Sequence, residues 1–195
     1  MKKILVAFML LGSVTVFAAK TPEILVSCAV CHGQSGVSPS PEWPNLAGQH
    51  RNYLVRQLQD FKKGGLRDSP VMTALSANLT EEEIQELADF YAKKSVPEGS
   101  TPEKYLKRGE LLYRGGDFAK QITACIACHG PKGTGNGQAG FPVLSGQHAP
   151  YTIQQLLAFK QGKRANDLNS IMRDISSHMS QEDMEAVAYY LQGLH

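Results

Sequence analysis

The chain has 195 residues, with 20 Lys and Arg, 18 Asp and Glu, and a hydrophobic fraction of 42%. Its acidic and basic residues nearly cancel, and the clustered basic face that is typical of nucleic-acid-binding proteins is not indicated. All four cysteines fall in two copies of one short motif, CAVCHG and CIACHG, which begin 97 residues apart at Cys28 and Cys125.

The first residues predict an export signal. Lys2 and Lys3 precede an apolar run at residues 4–17, and small residues precede the simplest cleavage point, after Ala18. The alternative is an uncleaved membrane anchor, but a bilayer-spanning helix needs about 20 apolar residues. We therefore expect a signal peptide at residues 1–18. Its removal takes two lysines, so the remaining basic and acidic residues are equal in number (20 − 2 = 18, against 18).

The part of the chain that follows predicts helices joined by loops. Apolar residues from Tyr53 to Phe61 recur at helical spacing. Thr80 and Glu83 make a capping box for another helix, which contains Ile84. The stretch between the first cysteine motif and these helices is rich in Gly, Pro, Ser and Asn, so we expect loops there. No stretch alternates well enough to predict a strand.

A linker is predicted in the middle of the chain. The segment SVPEGSTPE, which begins at Ser95, has two prolines, a glycine and two serines between helical patterns. It divides the chain into a first domain at residues 19–94, a linker at 95–102 and a second domain at 103–195. In the second domain, Ser180 caps a last helix.

The two domains repeat each other in sequence. PNLAGQHRNYLVRQLQDFKKG from Pro44 matches PVLSGQHAPYTIQQLLAFKQG from Pro142 at an offset of 98 (142 − 44), and the segments from Val71 and Ile171 match at an offset of 100 (171 − 71). The sequence therefore predicts an all-α fold of two tandem units. Units of this size are marginal as free-standing cores, and a large buried apolar group in each would relieve that.

The cysteine motif predicts what that group is. Two thiols three positions apart can add to the two vinyl groups of a haem, and the histidine that follows at once can bind the iron from one face. The cysteines expected to attach two haems are Cys28, Cys31, Cys125 and Cys128. The expected first axial ligands are His32 and His129.

Other uses of the cysteines explain the motif less well. Disulfides are common in exported proteins, but they do not account for a histidine after the second cysteine in both copies. A thioredoxin-like redox pair would lie near a βαβ pattern, which the sequence does not predict. A zinc site would use both cysteine pairs together, whereas here each unit carries a complete copy.

Methionines are the favoured second axial ligands. Only Met72 and Met172 occupy equivalent positions in the two units, in segments that we expect to be loops. Met179 and Met184 align with apolar residues of the first unit, so they are expected to lie in the core. A core role is also the alternative for the first pair. Methionine–histidine ligation closes the iron to other molecules and is typical of electron carriers.

Repeated histidines give the competing ligand set. His50 and His148 each precede a middle helix, and a bis-histidine haem would use them, but a capping or surface role is favoured. Pro44 and Pro142 lie 12 and 13 residues after the haem-motif histidines (44 − 32 and 142 − 129). Their carbonyls are candidates to accept a hydrogen bond from those imidazoles and fix the ring orientation.

The whole chain after residue 18 resembles the dihaem class I cytochromes of the cytochrome c4 type. The resemblance rests on the two CxxCHG motifs, the two PxLxGQH segments, the QLxxFKxG-like helices and the repeated methionines. It implies two cytochrome c domains related by a pseudo-twofold axis, each wrapped round a covalently attached c-type haem. By matching position, it implies the axial pairs His32 with Met72 and His129 with Met172.

The resemblance also implies a function. Such proteins are electron carriers of the bacterial periplasm rather than enzymes, and they commonly pass electrons to haem–copper terminal oxidases. The expected partners are quinol–cytochrome c reductase, a haem–copper oxidase or other redox proteins, with peripheral membrane association left open. The acidic first half and basic second half typical of the family are weak here: basic and acidic residues number 8 and 9 in residues 19–97, and 10 and 8 in residues 103–195.

An enzyme is the rival interpretation. A dihaem peroxidase, or an enzyme that oxidises a small sulfur compound, needs one iron with an open or displaceable face. The symmetric methionines argue against that. A haem-based sensor would usually bring a signalling domain, for which the sequence leaves no room.

Overall fold

The structure is a computed structural model that describes residues 21–195. The signal peptide predicted at residues 1–18 lies outside the described residues. Nine α-helices lie in the described chain, and they are, in order, α1 (Thr21–His32), α2 (Arg51–Lys63), α3 (Pro70–Ser76), α4 (Glu81–Ala92), α5 (Glu103–Gly115), α6 (Ile126–His129), α7 (Ala149–Lys160), α8 (Ile171–Ser177) and α9 (Gln181–Gln192). The β pairing in residues 21–195 consists of isolated bridges, so the predicted all-α class is confirmed.

Local capping explains where the last helix of each half begins. The Thr80 side chain accepts from the Glu83 backbone, and the Glu83 carboxylate accepts from the Thr80 backbone, at 3.2 and 2.8 Å. Ser180 and Asp183 make the same reciprocal pair at α9, at 3.2 and 3.1 Å. The predicted capping box and the predicted Ser180 cap are therefore confirmed, and they satisfy amide groups that a helix start leaves unpaired.

The two halves, residues 21–94 and 103–195, share one packing plan. The middle helix of each half (α2 or α7) contacts the short helix that follows it (α3 or α8) and the last helix of that half (α4 or α9). None of the helices in the described chain is long and apolar enough to cross a bilayer.

Helix α5 makes the second half larger than the first. It packs along α9, where Gly109 lies so close to Ala186 that any Cβ would clash with the Ala186 carbonyl. Tyr105 and Tyr189 stack in parallel at 4.3 Å beside this contact. In the described part of the first half, α1 runs straight into the cysteine motif and no equivalent of α5 precedes it. The buried core of the second half is accordingly one cluster of ten residues, whereas the first half has two clusters of three.

The segment between the halves holds no helix or strand at residues 95–102. Two glycines pack against it: Gly48 and Gly146 have φ values of +70° and +66°, and a Cβ on either would clash with Val96 or Pro97. Only glycine meets both demands, the left-handed backbone and the close approach. The domain boundaries 19–94, 95–102 and 103–195 stay predictions.

Candidate functional site

A cavity of about 1100 Å³ is shared by the two halves. It lies slightly above the usual range for ligand pockets, about 300–1,000 Å³. Its lining includes all eight side chains that the sequence singles out: Cys28, Cys31, His32, Met72, Cys125, Cys128, His129 and Met172. The structure thus brings each cysteine motif together with the methionine of its own half, and the two groups open into one space.

The cysteines come from the helices that end at the motif histidines. Cys28 and Cys31 lie in the last turns of α1, while Cys125 precedes the one-turn helix α6, which contains Cys128. All four are free thiols, and in residues 21–195 no three His, Cys, Asp or Glu side chains converge to form a metal cluster. Burial raises the pKa of Cys28, and it raises the pKa of Cys125 to about 11. Both thiols are therefore protonated at neutral pH in the haem-free chain.

The motif histidines are held by backbone carbonyls. Nδ1 of His32 donates to the Pro44 carbonyl at 2.9 Å, and Nδ1 of His129 donates to the Pro142 carbonyl at 3.0 Å. The predicted role of the two proline carbonyls is confirmed. A carbonyl can only accept, so Nδ1 carries the proton and Nε2 is the nitrogen available to a metal. Burial lowers the pKa of both imidazoles, which favours the neutral form that binds metals.

The repeated methionines lie in helices, and the prediction that they lie in loops was wrong. Met72 is in α3, which begins at Pro70 after the capping residue Ser69, and Met172 is in α8. Each of these helices has only seven residues, which is too short for a 3.6-residue pattern to be distinguished from a loop. The predicted core positions of the other two methionines are confirmed: Met179 and Met184 are fully buried.

The glutamines of the repeated Gly-Gln-His segment join the halves, a role that the sequence analysis missed. The Gln49 amide accepts from the backbone N–H of Val143 at 2.9 Å and donates to its carbonyl at 3.0 Å. The Gln147 amide pairs with the backbone of Asn45 in the same way, at 2.9 Å for both bonds. The same tripeptide, Gly-Gln-His, precedes both middle helices, and this repetition is the sequence feature that could have indicated the role.

The histidines of the same segment also bridge the halves. Nε2 of His50 donates to the Thr134 carbonyl at 2.8 Å, and Nε2 of His148 donates to the Ser38 carbonyl at 3.2 Å. Both histidines precede a helix, but neither side chain caps it, so the expected capping role was wrong. Neither lines the cavity, which leaves the bis-histidine alternative without support.

Two buried arginines face the cavity from the boundary between the halves. Arg67 donates to the hydroxyl of Tyr151 at 2.8 Å, and Arg164 donates to the hydroxyl of Tyr53 at 2.7 Å, so each reaches the opposite half. Neither has a carboxylate within salt-bridge distance among residues 21–195. Burying a cation without a counter-ion is costly. The pair therefore suits a ligand that carries carboxylates, as haem does.

A buried tyrosine hydroxyl also suits a bound group. Tyr91 lines the cavity, and its hydroxyl is buried without a hydrogen-bond partner in the described chain. Burial raises the pKa of Tyr91, so the hydroxyl stays protonated and remains a donor. A buried polar group left unpaired costs about 1–3 kcal/mol. An acceptor brought into the cavity would remove that cost.

Comparisons with known proteins show which family the chain is similar to. The family model for cytochrome c matches residues 113–195, and the model described as cytochrome C oxidase, cbb3-type, subunit III matches residues 21–90. The chain is 38% identical to cytochrome c4 of Stutzerimonas stutzeri, over 100% of both chains. It is 37% identical to a thiosulfate dehydrogenase electron acceptor of Stutzerimonas stutzeri (strain A1501), over 85% of this chain and 77% of that one.

A solved structure shows the same architecture. The crystal structure of reduced recombinant cytochrome c4 from Pseudomonas stutzeri matches with a TM-score of 0.84 and 38% identity, covering 91% of this chain and 100% of that one. Two cytochrome c units and relatives of this kind imply two covalently bound c-type haems. The chain is a dihaem electron-transfer cytochrome, and it belongs to the cytochrome c4 family.

Proposed function

We propose that each half holds one haem through its own cysteine pair and its own axial pair. The thioether cysteines are Cys28 and Cys31 in the first half and Cys125 and Cys128 in the second. The axial pairs are His32 with Met72 and His129 with Met172. When bound, each haem supplies one-electron redox chemistry.

The chain's own residues then fix the ligands. The Pro44 carbonyl holds the His32 ring by its Nδ1 proton, which sets the ring's orientation and makes Nε2 a better donor. Met72 and Met172 would supply a thioether to the iron of their own half, and such a ligand favours the reduced state. The observation that carries the proposal is the repetition of this arrangement: in both halves a carbonyl-bound histidine and a methionine line one cavity.

The proposed role is that of a periplasmic electron carrier rather than an enzyme. After export and removal of residues 1–18, domains at 19–94 and 103–195 would carry electrons from quinol–cytochrome c reductase towards a haem–copper terminal oxidase. Peripheral association with the membrane is compatible with that role. Support comes from the family membership and from the proposed ligand sets, in which the protein supplies two ligands to each iron.

A second candidate role is acceptance of electrons from an enzyme that oxidises thiosulfate. The 37% identity to a thiosulfate dehydrogenase electron acceptor supports it. The chemistry at the haems would be the same, and only the donor would differ. Stopped-flow reduction by purified quinol–cytochrome c reductase and by a thiosulfate dehydrogenase, compared under equal conditions, separates the two roles.

The ligand assignment is tested by the optical spectrum of the purified oxidised protein. We expect two equivalents of the methionine-to-iron charge-transfer band per chain. Met72→Ala and Met172→Ala should each remove one equivalent and lower the reduction potential of that haem. One equivalent or none in the unaltered protein would contradict the assignment and favour the dihaem enzyme with an open iron.

A further inference from the structure

The segment that carries the second methionine is clamped. The Asp167 carboxylate accepts from the backbone N–H of Arg173 at 3.0 Å and from its Nε at 2.7 Å, and the same guanidinium donates to Ser170 at 2.8 Å. The Asp167 side chain is only 4% exposed, whereas the Arg173 side chain is 34% exposed, so the carboxylate is the shielded member of the pair. Charge-assisted bonds of this kind are stronger than neutral ones. They fix the residue next to Met172 to the turn before α8.

The first half lacks this clamp. Thr73 stands where Arg173 stands in the second half (173 − 100 = 73), and the loop is two residues shorter. The nearby carboxylate, Asp68, accepts from the Gly65 backbone at 2.8 Å and does not reach α3. The bonds to Met72 itself come from inside its helix: Ser76 donates to its carbonyl at 2.5 Å, and its N–H reaches the capping Ser69 at 3.5 Å. These bonds hold the helix together, but they do not tie it to the rest of the half.

Packing against the hydrophobic core also holds α8 more firmly than α3. Met172 and Ile175 of α8 pack against the ten-residue core of the second half. Neither first-half cluster includes a residue of α3. Val71 and Leu75 of α3 are 62% and 48% exposed, whereas the corresponding Ile171 and Ile175 are half-buried. Helix α3 is therefore held less firmly than α8, and local opening draws on elements with few buried contacts.

We infer that the first haem iron is a binding site for small exogenous ligands, opened by displacement of α3 and release of Met72, while the second iron stays closed. The inference rests on the axial pairs of the proposed function. The chemical class of ligand is a small iron ligand such as cyanide, which needs only the coordination position that Met72 leaves; the same cavity is lined by the apolar side chains of Leu58, Phe61 and Leu79. In the exchange, the iron–sulfur bond breaks and an iron–carbon bond forms. The oxidation state of the iron does not change, and Met72 is left as a free thioether.

Cyanide binding to the oxidised, fully haem-loaded protein tests the inference. At saturating cyanide, the loss of the methionine-to-iron band reports the rate at which each methionine leaves the iron. We expect two phases of equal amplitude, with the first about tenfold or more faster than the second. Arg173→Gln should accelerate the slow phase about tenfold, which corresponds to about 1.4 kcal/mol, and leave the fast phase unchanged. Thr73→Ala, at the matching position of the first half, should change neither phase.

The outcomes separate this inference from the function on which it rests. Fewer than two equivalents of the band before cyanide is added would overturn the ligand assignment, and the inference with it. Two equivalents that disappear in one phase would overturn the inference alone. The same applies if Arg173→Gln accelerates the fast phase. The two phases of the unaltered protein decide the matter even if the variant does not fold.

Discussion

Arg67 and Arg164 meet at the boundary between the halves, where their backbones form an antiparallel bridge. Each guanidinium lies 4.5 Å from the centre of a phenylalanine ring of its own half and donates to a tyrosine of the other half. Burial alone would raise the pKa of the Tyr53 hydroxyl, but the positive charges of Arg164 and Arg67 lower it below its usual value. Each charge therefore acts across the boundary and influences groups of both halves.

Replacing one of these arginines should lower both reduction potentials. A buried positive charge favours the reduced haem, so Arg67→Gln removes a stabilising interaction from both. At an effective dielectric constant of about 20, two unit charges about 15 Å apart interact by about 1 kcal/mol, so we expect a change on the order of 40 mV for one electron. Spectroelectrochemical titration measures it. Arg51→Gln, which removes a surface charge paired with Asp89, should leave both potentials nearly unchanged.

The interface glutamines should contribute measurably to stability. Gln49→Ala removes two bonds to the Val143 backbone and leaves a buried amide and carbonyl unpaired. We expect a loss of about 2 kcal/mol in the free energy of unfolding, measured by denaturant titration. Gln154→Ala, on the exposed side of α7, is the control and should change stability little. An unchanged midpoint for Gln49→Ala would show that the halves do not depend on this contact.

Asp183 is a buried carboxylate that pairs with two partly exposed cations in the second half. Its side chain is 3% exposed and pairs with Arg108 at 2.5 Å and Lys120 at 2.8 Å. Asp183→Asn removes the negative charge that pairs with both cations, but Arg108 and Lys120 are partly exposed and Arg108 keeps Asp117, so we expect a loss of about 1–2 kcal/mol in the free energy of unfolding. Glu83→Gln at the corresponding position of α4 should cost less, because the bonds of that side chain are in an exposed setting.

The same carboxyl should make stability depend on pH in acid. Burial raises the pKa of Asp183, but hydrogen bonds from Lys120 and Arg108 outweigh it and hold the pKa well below its usual range. A depressed pKa stabilises the fold above the unfolded-state pKa of about 4 and loses that effect as the pH falls towards the folded-state value. Thermal unfolding followed by circular dichroism between pH 7 and pH 2 should show a smaller acid loss for Asp183→Asn than for the unaltered protein.

The crossing of α5 and α9 depends on a glycine. A Cβ at position 109 would clash with the Ala186 carbonyl and lie 2.5 Å from the Tyr190 Cβ, so Gly109→Ala must push the helices apart. We expect a lower Tm and a loss of about 1–3 kcal/mol. At Gly115 the nearest atom would be 3.8 Å away, and Gly115→Ala should be neutral or stabilise by up to about 1 kcal/mol. Equal effects at the two positions would contradict the steric explanation.

Local chemistry made part of the site predictable. The capping box at Thr80 and the carbonyl partners of the motif histidines follow from short-range spacing, and the structure agrees with both. The contacts between the halves could not be predicted from the sequence, because Gln49 and Val143 are 94 residues apart and no residue near either one indicates that they meet. The short helices around Met72 and Met172 were missed because seven residues give too little periodicity. In residues 21–195 no helix of the first half packs as α5 does in the second, and a repeat in sequence does not reveal this difference.

The two glutamines bind the main chain of the opposite half, and not its side chains. A carboxamide offers a donor and an acceptor with the spacing of a peptide group. Gln49 therefore pairs with the main chain of Val143, and Gln147 pairs with that of Asn45. The Val143 side chain plays no part in these bonds, whereas the Asn45 side chain adds a bond of its own across the boundary, to the Gly146 carbonyl at 2.9 Å. Substitutions at position 143 can thus accumulate without changing the alignment along which an electron passes from one haem to the other.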